Sequence, residues 1–226
     1  GACALDDSVE LTKRAVELGC GGVLMLPPFY YKGVPEEGLY RNFSEIIQRV
    51  GDDRLRIYLY HIPPVAQVGI PLGLIERLLK DYPGIVAGAK ESSGDWSNTE
   101  AMIDNFAAQG FDVYPGSESV LLQAMRAGGA GCISATANVN PGPIAKLAAT
   151  WQGDDADAQQ EGLNVTRGIF QTYVMIPALK AAIAHYGRDP EWNRLRPPLV
   201  ELTADEQKDL VAKLDASGFA MPGLAG

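Results

Sequence analysis

The chain has 226 residues, 46% of them hydrophobic, which is enough material for a sizeable core in one large or two small α/β domains. Its 19 Lys and Arg against 28 Asp and Glu leave a formal charge of −9, which argues against a nucleic-acid partner, because phosphate binding needs clustered cations. No apolar run approaches the ~20 residues that cross a bilayer, and no basic-then-apolar leader opens the sequence, so the expectation is a cytoplasmic protein with no membrane partner.

Taken in order, short apolar runs alternate with longer helical patterns. A helix is expected over residues 7–18, a strand over 22–27 (GVLMLP), a helix over 36–49 and a strand over 55–62 (LRIYLYHI). Then come a helix over 71–80, a strand over 85–90 (IVAGAK), a helix over 96–108, a strand over 111–115 (FDVYP), a helix over 118–127 and a strand over 131–136 (GCISAT). Four of the five runs are β-rich and nearly continuous in apolar character, as suits parallel strands covered on both faces. Asp7, Ser97 and Ser117 stand at expected N-caps, and Gly22, Gly110 and Gly128 lie just past expected helix ends. Strands recur at intervals of roughly 25–30 residues, the spacing of βα units.

The pattern then changes. Asn140-Pro-Gly-Pro143 opens a helical region, residues 154–186 carry long helical patterns with a break expected near Pro177, and 203–217 form a final amphipathic helix. Thr203 and Glu206 have capping-box spacing. Five strands followed by helices do not close a barrel. The fold expected is therefore a (β/α)8 TIM barrel incomplete at the N-terminus, with about five of eight strands present and a C-terminal helical extension. Residues 1–150 are read as the partial barrel and 151–226 as the helical region; the alternative is an open doubly wound sheet.

In either architecture ligands gather at the carboxyl ends of the strands. Lys90 ends an apolar run, where an unpartnered ammonium is costly to bury and a desolvated amine attacks carbonyls. Tyr60 ends the preceding strand. If the two strands are neighbours, amine and phenol converge on one substrate atom, which is what a Schiff-base lyase needs for the imine and for moving a hydroxyl proton. Tyr30 or Tyr31 could extend such a proton relay. Each residue also has a plain reading: a solvated lysine, a packing tyrosine, a loop plug for Phe29-Tyr30-Tyr31, a structural histidine for His61 and a helix-start carboxylate for Glu118. Cys3, Cys20 and Cys132 read as reduced, mostly buried thiols, and no His/Cys/carboxylate cluster has metal-ligand spacing, so neither a metal nor another cofactor is expected.

Tyr60-His-Ile-Pro63, Gly88-Ala-Lys-Glu-Ser-Ser-Gly94, Gly129-Ala-Gly-Cys-Ile-Ser134 with Ala137-Asn138, Pro28-Phe-Tyr30 and Glu37-Gly-Leu-Tyr40 together resemble the dihydrodipicolinate synthase / N-acetylneuraminate lyase family. The resemblance runs along essentially the whole chain. It implies a (β/α)8 barrel with C-terminal helices, usually a homotetramer, acting on pyruvate or a related 2-oxo acid through a lysine imine. By position, Lys90 is similar to the Schiff-base lysine and Tyr60 to the proton-relay tyrosine. Tyr30 is similar to the tyrosine that reaches a neighbouring subunit's site, and Ile133 falls where a backbone carbonyl lines the pocket. Ser92, Glu118 and Ser134 are candidates for contacts to the substrate's distal hydroxyls.

Two departures qualify the resemblance. Where the synthase branch has an arginine for a dicarboxylate aldehyde, two residues past Tyr-x-x-Pro, this chain has Val65. The family's threonine pair, which binds the pyruvate carboxylate, has no counterpart here. The leading expectation is thus a carbon–carbon lyase or aldolase that is not a dihydrodipicolinate synthase. The alternatives are a sugar-acid dehydratase using the same imine, a non-catalytic 2-oxo acid binding protein, and an inactive fragment.

Overall fold

Alternating β-rich runs and amphipathic helices predict parallel strands joined by helical crossovers, and the computed structural model has that order. It describes residues Gly1–Leu224. The elements are α1 (Leu5–Glu17), β1 (Val23–Met25), α2 (Glu36–Val50), β2 (Ile57–His61), α3 (Pro63–Ala66), α4 (Leu72–Asp81), β3 (Val86–Glu91), α5 (Trp96–Phe106), β4 (Asp112–Pro115) and α6 (Leu121–Ala127). After them come α7 (Pro141–Thr150), α8 (Ala156–Gln171), α9 (Met175–Tyr186) and α10 (Ala204–Ala216). Two compact units result: Gly1–Gly116 with Arg126–Cys132, and Ser117–Met125 with the chain from Ile133 onward. The sequence-based division at residue 150 follows chain order, whereas these units interleave.

In the first unit four parallel strands lie in the order β1-β2-β3-β4. One face of the sheet is apolar and dry: Ile57, Leu59, Val86, Ala89 and Val113 are all buried. Helices of this unit contribute Phe43 and Ile46 from α2, Leu74, Ile75 and Leu78 from α4, and Met102 from α5, likewise buried. Period-two alternation sends Leu24, Tyr58, Tyr60, Lys90, Asp112 and Tyr114 to the opposite face, where none is fully buried. Among the described residues β1 pairs with β2 alone, so its other edge is open.

The fifth expected strand, 131–136, is not one. Ala130 N–H donates to Val113 O at 3.0 Å, beginning a ladder beside β4. Gly131 then adopts φ 138°, a value outside the extended region, and Ala135–Asn138 winds into a 3-10 turn. Four strands, not about five, are present among the described residues.

Local signals hold unevenly. Asp95, not Ser97, caps α5, its Oδ1 accepting from Ser97 N–H at 2.9 Å. Asp7 lies inside the first turn of α1, while Ser117 does cap a short 3-10 turn. Cys3 and Cys20 are exposed and Cys132 half-buried, against the expectation of buried thiols.

In the second unit Phe170, Ala178, Ala182, Leu210 and Leu214 anchor a core shared by α8, α9 and α10. The break expected at Pro177 falls earlier, between Gln171 and Met175. Pro177 sits in the first turn of α9, where its missing N–H would have no helical partner anyway. The Thr203–Glu206 capping box forms as expected.

Candidate active site

β2 and β3 are adjacent, and their register sets Tyr60 opposite Lys90 at the carboxyl ends. Residues so paired point to one face about 4.8 Å apart. Lys90 Nζ donates to Tyr60 Oη at 3.0 Å and stands 4.3 Å from the centre of the Tyr60 ring. Both residues are half-buried, so the amine is reachable by a small molecule while shielded on the sheet side.

Deeper on the same face, Tyr58 Oη donates to Asp112 Oδ2 at 3.2 Å, and Tyr58 meets Tyr114 edge-on with ring centres 5.9 Å apart. Tyr114 pairs in register with Lys90, flanking it on β4 as Tyr60 does on β2. Burial, reinforced by the Asp112 charge, pushes the Tyr58 and Tyr114 phenols above the ordinary tyrosine value. Both therefore stay protonated at neutral pH.

His61 and Glu91 follow Tyr60 and Lys90 in sequence and so fall on the opposite face. His61 Nδ1 accepts from Ile70 N–H at 2.9 Å, which leaves the ring proton on Nε2, 3.9 Å from Glu91 Oε1. Glu91 also accepts from Ser93 N–H at 2.8 Å and Thr99 Oγ1 at 2.7 Å. Burial lowers the His61 pKa, partly offset by the Glu91 carboxylate. This is a satisfied structural histidine.

Beyond the strand ends, Ser92 N–H donates to His61 O at 2.7 Å, while Ser92 Oγ is buried with no hydrogen-bond partner. A Cβ on Gly116 would lie 2.0 Å from that oxygen, so the hydroxyl occupies space that only glycine leaves open. Tyr30 is 75% exposed and makes an edge contact with Tyr31. Lys32 holds this loop by donating to Phe29 O and to Ala66 O, the latter at 2.8 Å. Val65, on α3, is 74% exposed.

In the second unit Glu118 is fully buried and its carboxylate accepts from Ser134 Oγ and Thr136 Oγ1. Arg167 Nη1 lies 3.5 Å from Glu118 Oε2 and donates to Ser134 Oγ at 3.1 Å. Glu118 and Ser134, expected as contacts to substrate hydroxyls, are thus bonded to each other, and Ile133 immediately precedes this anchored serine. Sequence reading missed Tyr58, Asp112, Tyr114 and Arg167. Tyr58 could have been found, since period two places it on the Tyr60 face, whereas Asp112 and Tyr114 reach that face only through the β3–β4 register. Arg167 lies 49 residues from Glu118 on an amphipathic helix and carries no local signal.

Among the described residues no group of three or more His, Cys, Asp and Glu could hold a metal ion, and no helix is long and apolar enough to cross a membrane. Residues 1–217 match the family model described as the Dihydrodipicolinate synthetase family. The chain belongs to the dihydrodipicolinate synthetase family. Members of the dihydrodipicolinate synthetase family are lyases of the class I aldolase type, and this chain is one of them. It is 35% identical over 211 residues to an uncharacterized DapA-like lyase of Chloroflexus aurantiacus, covering 91% of this chain and 68% of that protein. It is 36% identical over 215 residues to a 4-hydroxy-tetrahydrodipicolinate synthase of Thermus thermophilus, covering 93% and 69%. Among solved members of the dihydrodipicolinate synthetase family, the dihydrodipicolinate synthase of Agrobacterium tumefaciens superposes with a TM-score of 0.84 at 29% identity. That match covers 94% of this chain and 71% of the other. YagE of E. coli K12, solved in complex with pyruvate, matches with a TM-score of 0.86 at 24% identity over 97% and 74%, and bears on the fold alone.

Proposed function

We propose that this chain serves a metal-independent carbon–carbon lyase acting on pyruvate or a related 2-oxo acid through an imine on Lys90. The observation that carries the reading is the 3.0 Å contact of Lys90 Nζ with Tyr60 Oη at register-matched ends of neighbouring strands. The unprotonated amine adds to the ketone carbon, solvent supplies one proton, and the ketone oxygen leaves as water, giving a protonated imine. When the carbon–carbon bond breaks, its electron pair flows into the imine to form an enamine. The adjacent hydroxyl gives its proton to the Tyr60 oxygen while the phenol passes its own proton to solvent, and the aldehyde departs. Protonation of the enamine carbon and hydrolysis of the imine return the free amine.

We read the strands of this chain as part of a (β/α)8 barrel that assembles as a homotetramer, the usual state that the resemblance implies. Exposed Tyr30 is suited there to reaching a neighbouring subunit. Ser92, two residues past Lys90, shares its period-two face and is the candidate contact to a substrate oxygen. Val65 cannot pair a second carboxylate, which supports an aldehyde partner other than the dicarboxylate aldehyde of the synthase branch. The test is borohydride reduction in the presence of pyruvate. A stable mass increase located at Lys90, lost in Lys90→Ala, is expected; an unmodified Lys90 in folded protein would reject the reading.

A further inference from the structure

We infer that Tyr58, Gly88 and Asp112 form a register lock that positions Lys90 against Tyr60. The inference rests on the reading of Lys90 as the imine-forming amine and adds residues that touch no substrate.

Ile57 pairs with Val86, but the next pair is Tyr58 with Gly88, so Ala87 is an extra residue in β3. Had the first pairing continued evenly, Tyr60 would face Ala89, and Lys90 would pair with His61 on the helix-covered face. A slip of one residue turns every side chain to the other side of a sheet, and bulges re-aim side chains near active sites. Ala87 is therefore what brings amine and phenol together.

Three groups hold that register. A Cβ on Gly88 would lie 2.8 Å from Tyr58 Cδ1, so the Tyr58 ring lies across β3 where this side chain is missing. A Cβ on Gly22 would lie 2.8 Å from Tyr58 Cε2, so glycine leaves room on the other flank as well. Spanning the gap, the phenol donates to Asp112 Oδ2 on β4 at 3.2 Å, and Asp112 is itself in register with Gly88. One side chain bridges β2 to β4 above the bulge. In the slipped register Tyr58 would stand over the Cβ of Ala87 instead. Tyr58, Gly88 and Asp112 are positioning residues.

The experiment compares Tyr58→Phe, Asp112→Ala and Asp112→Asn by two readouts, after circular dichroism has confirmed folding. The first is the rate of borohydride trapping of pyruvate on Lys90. The second needs no pyruvate: the pH profile of Lys90 reductive methylation by formaldehyde, followed by peptide mass spectrometry. Tyr58→Phe and Asp112→Ala are expected to slow trapping by about 10- to 100-fold at saturating pyruvate, as misplaced reacting groups do. They should also displace the Lys90 methylation profile while those of the other lysines stay put. Asp112→Asn keeps an acceptor for the Tyr58 hydroxyl and should restore both readouts. Unchanged rates and profiles in Tyr58→Phe and Asp112→Ala, or Asn behaving as Ala does, would overturn the lock. If the wild type traps no pyruvate, the imine reading fails, while the methylation profiles still decide whether the lock sets the surroundings of Lys90.

Discussion

Lys90 Nζ and Tyr60 Oη are hydrogen-bonded at 3.0 Å, although 30 residues separate them in sequence and each lies on its own strand. Two roles should therefore separate by mutation. On the proposed reading Tyr60→Phe removes the proton carrier and keeps the amine, so pyruvate should still be trapped on Lys90. Turnover should fall by about 10²- to 10⁴-fold, the range for losing a general acid–base. Trapping and steady-state kinetics on the same sample check this; equal loss of both would refute the division.

His61 is buried and neutral, its pKa lowered by loss of water. An unfolded chain takes up a proton near pH 6.5, whereas the folded chain does so only at lower pH. Stability should therefore be insensitive to His61 above about pH 7 and fall as pH drops below 6.5, until the folded-state pKa is reached. Each unit of difference is worth about 1.4 kcal/mol. Denaturant melts between pH 7.5 and 5 should show this slope, and His61→Asn should flatten it. A slope unchanged in His61→Asn would assign the effect elsewhere.

The Glu118–Arg167 pair is buried on the carboxylate side, with side-chain exposures of 0% and 12%. Arg167→Met leaves Glu118 with hydroxyl donors alone and should cost about 3–5 kcal/mol, the usual penalty for stranding a buried charge. Adding Glu118→Gln should recover part of that loss. A double-mutant cycle by chemical denaturation measures the coupling, and strictly additive losses would show that the ion pair contributes nothing.

Val65 is exposed on α3, where an added guanidinium needs no desolvation. Val65→Arg should raise kcat/KM for an aldehyde bearing a second carboxylate relative to an uncharged one, by about 10-fold if one charge-assisted hydrogen bond of about 1.5 kcal/mol forms. Competition kinetics between the two aldehydes would reveal it. An unchanged ratio would mean that this position does not face the aldehyde.

Much of the arrangement was legible in the strands' own pattern. Continuous apolar runs marked β1 to β4, and a lysine and a tyrosine closing consecutive runs marked the pair that the structure hydrogen-bonds. The fifth run misled because Gly-Cys-Ile-Ser has strand composition, while φ at Gly131 is a backbone choice that composition does not report. Ser97 and Asp95 are both cap-forming residues two positions apart, and only the backbone geometry chose Asp95. Glu118 was visible as a carboxylate at a helix start, but its saturation depends on Arg167 from a distant helix.

Sequence alone determined the βα alternation, the helical C-terminal region, the identity of the amine and phenol, and the absence of an arginine at position 65. These follow from local periodicity and residue chemistry, which need no knowledge of neighbours. Tertiary structure decided which face each strand-end residue occupies, because that depends on a one-residue bulge at Ala87 and on a ring crossing a glycine gap. Strand register is a property of two chains of atoms meeting, and a single run of residues does not contain it.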